Sequence, residues 1–135
     1  MRYTISYVST SNPDLSDIDI THLMDYVRAH NCLLDITGIL IYSDGNFLQV
    51  IEGKKETVTG IFEKIKKDPR HYNIIKILDK EIDGGSFSDY HSSFTVISGH
   101  NGPIELQKFL EKEKLSNPEH FKSIAYLTQK FMKLS

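Results

Sequence analysis

Cysteine and tryptophan are scarce in this sequence, which has a single cysteine, Cys32, and no tryptophan. One cysteine excludes an internal disulfide framework and any zinc site built on several cysteines, and it is typical of a reducing compartment. Long hydrophobic runs are also missing, so neither a membrane span nor a signal peptide is predicted. Neither sign of charge dominates, since the sequence has 16 Lys and Arg residues and 18 Asp and Glu residues. We therefore expect a cytoplasmic protein that binds neither nucleic acid nor membrane.

The apolar residues recur with the periods of strands and helices, and 135 residues can bury a substantial core. Helices are predicted from Ser16 to about residue 30 and around Val58–Ile65, where Pro69 stops the second. Strands are predicted over residues 2–9, 73–79 and 93–98, with a hairpin over residues 36–53 that turns at Ser43–Asn46. The order β-α-β-β-α-β plus one strand predicts an α+β, ferredoxin-like fold over residues 1–100.

Residues 101–135 are predicted to be helical and form a C-terminal extension. Asn117 and Pro118 are a suitable N-cap and first residue for its last helix. That helix has an apolar stripe too extensive to remain in water, formed by Phe121, Ile124, Ala125, Thr128, Phe131 and Met132. We expect the stripe either to pack on the free face of the sheet or to form a protein interface, in which case the chain would self-associate.

Gln49 is unusual because strand alternation places it between Phe47 and Ile51 on a predicted core face. A buried amide without partners is costly, so matching donors and acceptors are expected opposite it. The predicted topology places Tyr7 beside Gln49, and the two helix ends bring further polar residues to the same region: Asn31, Asp68, Arg70 and His71. Singly, each could be a satisfied buried residue or a solvated loop residue. Together they predict a slot between the helices that suits a flat polar heterocycle.

Catalytic and metal sites find little support in the residue pattern. His30 and Cys32 have no evident orienting acid, and we expect Cys32 to be a small buried thiol. The six histidines show no spacing typical of zinc ligands, so no metal site is predicted. Arg70 could bind phosphate, as in small phosphatases of ferredoxin-like fold, but only by analogy of fold. We therefore do not expect an enzyme.

Several segments resemble the BLUF family, whose members are blue-light sensors that bind a flavin. The segments are Tyr7-Val8-Ser9, His30-Asn31, Ile36-Thr37-Gly38, Phe47–Gly53 and Asp68-Pro69-Arg70-His71, in the family's order over about residues 3–94. The resemblance implies a non-covalently bound flavin, which would be FAD or, as alternatives, FMN or riboflavin.

The resemblance also implies a role for each binding residue. Asn31 would hydrogen-bond the C4=O and N3 edge of the isoalloxazine, and Arg70 would reach its C2=O side. His30 would pack against the ring and Asp68 would lie near the ribityl chain. The implied cofactor-binding set is His30, Asn31, Gln49, Asp68, Arg70 and His71.

Tyr7 and Gln49 would be the photoactive pair of such a receptor. A phenol within hydrogen-bond reach of an excited flavin can give it an electron and a proton. Gln49, placed between them, can relay the proton and then rotate or tautomerise, which shifts the flavin absorption slightly to the red. The resemblance thus implies a hydrogen-bond switch and no substrate turnover.

The predicted signal-relay residues are Ser9, Tyr90 and Ser92. At the last two positions the family usually has Trp and Met, and an Arg common before Phe87 is absent. We expect a light signal to pass to the C-terminal helices and on to an unidentified partner protein. The alternative is a light-inactive ferredoxin-like interaction module.

Overall fold

The computed structural model describes residues 2–82, 94–98, 102–116 and 118–134. Five strands and four helices follow one another as β1 (Arg2–Ser11), α1 (Asp17–Leu33), β2 (Thr37–Ser43), β3 (Asn46–Lys54), α2 (Lys55–Lys66), β4 (His71–Ile82), β5 (Phe94–Ile97), α3 (Gly102–Ser116) and α4 (Pro118–Leu134). The strands form one sheet in the order β4-β1-β3-β2-β5. All pairs are antiparallel except β2–β5. The predicted α+β, ferredoxin-like fold is confirmed.

Helix α1 begins as the sequence predicts but ends later. Ser16 caps it with a capping box, in which its hydroxyl accepts the Asp19 N–H and the Asp19 carboxylate accepts the Ser16 N–H. The expected end near residue 30 is wrong, because the helix continues to Leu33. The chain leaves it through Asp35, whose φ of 56° is left-handed. Asn31 therefore lies inside the helix and does not terminate it.

The hairpin of β2 and β3 holds the centre of the sheet. Asp44 and Gly45 have φ angles of 49° and 80°, as a two-residue type I′ turn requires. Gly38 lies so close to the neighbouring strand that a Cβ atom there would be 1.9 Å from the Val50 carbonyl oxygen. Glycine at that position therefore lets β2 and β3 pair in their observed register.

The two faces of the sheet are covered by different helices. Helices α1 and α2 pack on one face around Ile5, Tyr7, Leu40 and Phe47. Helices α3 and α4 pack on the other, around a cluster that includes Ile39, Ile41, Leu48, Val50, Leu110 and Ile124. The apolar stripe of α4 thus packs on the free face of the sheet, which is one of the two arrangements expected from the sequence. None of the helices in the described ranges is long and apolar enough to span a membrane.

Candidate functional site

A cavity opens between α1 and α2 above the central strands. The space between the helices is about 810 Å³ when the open solvent at its entrance is included. Fifteen residues line it: Tyr7, Leu23, Tyr26, Val27, His30, Asn31, Leu40, Phe47, Gln49, Ile61, Lys64, Ile65, Asp68, Arg70 and His71. The structure thus brings all seven predicted photoactive and binding residues to one cavity.

Gln49 lies at the buried end of this cavity, between Tyr7 and Asn31. Residues 7 and 49 are directly paired across β1 and β3, so their side chains leave the sheet on the same face. The Gln49 Nε2 atom donates to the Tyr7 hydroxyl oxygen at 2.6 Å, and Gln49 Oε1 lies 3.4 Å from Asn31 Nδ2. All three residues are at most 3% exposed. A continuous line of phenol and two amides therefore runs from the sheet to α1.

The Tyr7 phenol is held in its neutral form. Burial raises the pKa of Tyr7 well above its ordinary value, and the nearby Asp68 carboxylate raises it further. The hydrogen bond from Gln49 lowers the pKa but is outweighed. At neutral pH this phenol therefore keeps its proton on Oη.

Asp68 and Arg70 form an ion pair at the rim of the cavity. The guanidinium Nε and one terminal nitrogen donate to the Asp68 carboxylate at 2.6–3.1 Å, and the Arg70 backbone N–H adds a bond of 2.9 Å. Burial alone would raise the pKa of Asp68, but the hydrogen bonds from Arg70 have a larger combined effect and lower it. The same hydrogen bonds raise the pKa of Arg70. The pair is partly exposed, so it orients Arg70 more than it stabilises the fold.

His71 connects three elements beside the cavity. Its Nε2–H donates to the Ile65 carbonyl oxygen at 2.8 Å, and its Nδ1 lies 2.7 Å from the Ser9 hydroxyl oxygen, from which it accepts when the ring is neutral. The end of α2, the start of β4 and strand β1 are tied together through this one ring. Ser9 is thus placed next to the cavity without lining it.

Two predicted relay residues, Tyr90 and Ser92, lie outside the described residues. Cys32 is exposed, which corrects the expectation of a buried thiol. It follows the buried Asn31 on α1, and successive residues of a helix point about 100° apart. Within the described ranges, no three His, Cys, Asp or Glu side chains come together as a metal site.

Sequence reasoning missed two cavity residues, Tyr26 and Lys64. Tyr26 stacks on His30 with ring centroids 5.4 Å apart and an angle of 16° between the planes. Both residues could have been found from helix spacing, because Tyr26 precedes His30 by four residues on α1 and Lys64 follows Ile61 by three residues on α2.

The donors and acceptors of this cavity fit the polar edge of a flavin. An amide such as Asn31 carries both an acceptor oxygen and N–H donors, which complement a ring edge with N–H beside C=O. Arg70 adds a cationic donor at the rim, and the walls are apolar side chains such as Val27, Leu40 and Ile61. Apolar walls with one polar end suit a flat tricyclic heterocycle.

Comparison with known proteins identifies the family. The family model BLUF, described as sensors of blue-light using FAD, matches residues 3–93. The blue light- and temperature-regulated antirepressor BluF of Escherichia coli (strain K12) is 36% identical over 78 residues, which are 58% of this chain and 19% of that protein. Photoactivated adenylate cyclase subunit beta of Euglena longa is 34% identical over 74 residues, which are 55% of this chain and 9% of that protein. The match thus spans less than a fifth of these two relatives.

Solved structures with the same fold lead to the same family. BlsA in its photo-activated state has a TM-score of 0.64 at 34% identity and covers 87% of this chain and 84% of its own. BlrP1 of Klebsiella pneumoniae, solved with FMN and cyclic diGMP, has a TM-score of 0.71 at 26% identity over 95% of this chain and 34% of its own. With a family model that covers most of the chain, the protein belongs to the BLUF family of flavin-binding blue-light sensors.

Proposed function

We propose that this chain is a blue-light receptor that binds a flavin (FAD or, as alternatives, FMN or riboflavin) non-covalently in the cavity between α1 and α2. The observation that carries the proposal is Gln49, an amide 3% exposed that bridges Tyr7 and Asn31 at the inner end of the cavity. No substrate is turned over, and the product of light absorption is a rearranged hydrogen-bond network.

The residues of the cavity have distinct roles in this proposal. Asn31 binds the C4=O and N3 edge of the ring, and Arg70, oriented by Asp68, reaches the C2=O side. His30 packs on the ring, and His71 is fixed by Ser9 and Ile65 so that it closes the cavity beside Tyr7. Apolar side chains from both helices exclude water, which strengthens each of these polar contacts.

When bound, flavin supplies the absorption of blue light and, once excited, a strong oxidant. As the donor to that oxidant, Tyr7 would lose an electron together with the proton on Oη, which its raised pKa keeps in place. Gln49 Nε2 donates to that oxygen at 2.6 Å, so the amide would take up the proton only after rotation or tautomerisation turns an acceptor atom toward Tyr7.

Gln49 can form two different sets of hydrogen bonds in the same space. In one, Nε2 donates to the Tyr7 hydroxyl oxygen and Oε1 faces Asn31. Rotation of the amide by about 180°, or its tautomerisation, gives the other, in which Oε1 accepts from Tyr7. The donors offered to a bound ring would change with it, which would shift the flavin band slightly to the red.

We propose that the signal leaves through the sheet to the C-terminal helices. Val8 follows Tyr7 on β1 and Leu48 precedes Gln49 on β3, and both contact the cluster that α3 and α4 cover. A change in strand position at Tyr7 or Gln49 would therefore act on residues packed under α3 and α4. The proposed output is a change in association with a partner protein or a second copy of this chain. The name of one relative, the blue light- and temperature-regulated antirepressor BluF, describes a regulatory protein.

The test is an absorption spectrum of the purified, flavin-reconstituted protein in the dark and under blue light. A flavin band that moves to the red and returns in the dark supports the proposal. A bound flavin whose band does not move would contradict the photocycle. A protein that cannot be loaded with flavin would favour the light-inactive interaction module, in which α3 and α4 form the working surface.

A further inference from the structure

We infer that Lys64 binds the 5′-phosphate of the flavin, so that the site selects FMN and FAD over riboflavin. The inference rests on the proposed function, because it requires the flavin ring to occupy the cavity. It adds a specificity residue on α2 for the phosphorylated tail of the cofactor.

The exposure of the lining residues gives the cavity a direction. Of the fifteen residues that line it, two are exposed, Tyr26 on α1 and Lys64 on α2. The polar residues that match the ring, Gln49 and Asn31, lie at the opposite, buried end. With the ring edge on Asn31, we place the ribityl chain toward the most exposed side of the cavity, where Tyr26 and Lys64 lie, and we call this side the mouth.

Lys64 is the cation available to an anion at the mouth. The other cation in the wall, Arg70, is engaged by Asp68 through several hydrogen bonds, and Lys66 on the same helix pairs with Glu63 at 3.1 Å. Among the described residues, no carboxylate lies within ion-pair distance of the Lys64 ammonium. The charged wall residues Lys64, Asp68 and Arg70 leave a net positive charge at the entrance.

The position of Lys64 on α2 also supports a ligand role. It lies in the last turn of the helix, where backbone carbonyls point outward and repel an anion. An ammonium group there neutralises the negative end of the helix and makes the mouth acceptable to a phosphate. Riboflavin has no phosphate and gains nothing from this charge.

The experiment compares dissociation constants of riboflavin, FMN and FAD for the wild type, Lys64→Gln and Lys67→Gln. Lys67 is the matched control, since it is an exposed lysine three residues later that does not line the cavity. We expect Lys64→Gln to weaken FMN and FAD binding about fivefold, as for an exposed ion pair, and to leave riboflavin unchanged. Lys67→Gln should leave all three constants unchanged, and Lys64→Arg should restore the phosphate preference.

Salt dependence gives a second readout. The preference of the wild type for FMN over riboflavin should shrink as ionic strength rises, and Lys64→Gln should show little preference at any salt concentration. Equal effects of Lys64→Gln on all three ligands, or no effect on any, would overturn the inference while leaving flavin binding intact. Failure of all three flavins to bind the wild type would instead overturn the proposed function.

Discussion

Gln49 is a polar side chain where the strand pattern calls for an apolar one. Its cross-strand neighbour Tyr7 and the helix residue Asn31 provide its partners, which explains how an amide 3% exposed is tolerated. At the scale of single residues, the proposed function therefore depends on a hydrogen-bond network that is satisfied inside the protein and still has donors and acceptors for a ligand.

Replacing Asn31 with Ala should weaken flavin binding. The variant loses two hydrogen bonds to the ring edge, and at about 0.5–1.5 kcal/mol for each bond the dissociation constant should rise about tenfold. Fluorescence titration of the apoprotein measures it, with Cys32→Ala as the exposed neighbouring control. An Asn31→Ala protein that binds flavin as tightly as the Cys32→Ala control would show that the edge is recognised elsewhere.

The raised pKa of Tyr7 predicts how stability depends on alkaline pH. Because the folded protein holds the phenolic proton more tightly than the unfolded chain does, the contribution of Tyr7 is fully present below its ordinary pKa of 10.0 and is lost as pH rises above it. Urea unfolding should show the wild type losing up to about 1.4 kcal/mol per pH unit above pH 10 relative to Tyr7→Phe. Parallel curves for the two proteins up to pH 11 would contradict the assignment.

At the scale of elements, the hairpin positions Gln49 and depends on Gly38. A methyl group at residue 38 would meet the Val50 carbonyl oxygen at 1.9 Å, and the φ of 135° is one that residues with a Cβ rarely adopt. Gly38→Ala should therefore lower the free energy of unfolding by about 2 kcal/mol or more and weaken flavin binding as β3 shifts. Chemical denaturation tests this, and Gly60→Ala is the control because a Cβ there meets open space. Equal stability of the two variants would show that β2 can move away from β3 at no cost.

The sequence predicted the type of each described element better than its ends. The prediction of β4 stopped at residue 79 although the strand extends from His71 to Ile82, because most of its side chains are exposed and no alternation marks its ends. Helix α1 continues three residues beyond its predicted end near residue 30, and Asn31 is buried within it. Here tertiary packing of the Asn31 side chain outweighs the low helix propensity of asparagine. Tyr26 and Lys64 were missed because a mouth residue is exposed and looks like any surface side chain in sequence.

At the scale of the whole molecule, the sheet separates two cores with different tasks. The face under α1 and α2 holds the cavity. The face under α3 and α4 holds an apolar cluster that shares no residue with the lining of that cavity. The pairing of the central strands β1 and β3 could be predicted from the pattern β-α-β-β-α-β, but the parallel pairing of β5 with β2 was not predicted. The choice between a packed stripe and a protein interface could not be predicted either, because both bury the same residues.

Ile124→Ala should separate these tasks. Ile124 is 1% exposed in the second cluster, so the substitution should lower the free energy of unfolding by about 2–5 kcal/mol. Flavin affinity in the dark should stay near that of the wild type, because the cavity lies on the other face of the sheet. Thermal unfolding and flavin titration measure the two effects, and Ile104→Ala, at a position 61% exposed, is the control. A large loss of flavin affinity without loss of stability would contradict the separation.

The central claim is that light acts through the phenol of Tyr7. The most direct test is the light-minus-dark absorption spectrum of flavin-loaded Tyr7→Phe, recorded beside the wild type and Tyr3→Phe. Tyr3 lies on the same face of β1 but bonds Asp79 away from the cavity. We predict a reversible red shift in the wild type and in Tyr3→Phe, and a flavin band in Tyr7→Phe that is present but does not move. A normal red shift in Tyr7→Phe would contradict the proposed photochemistry.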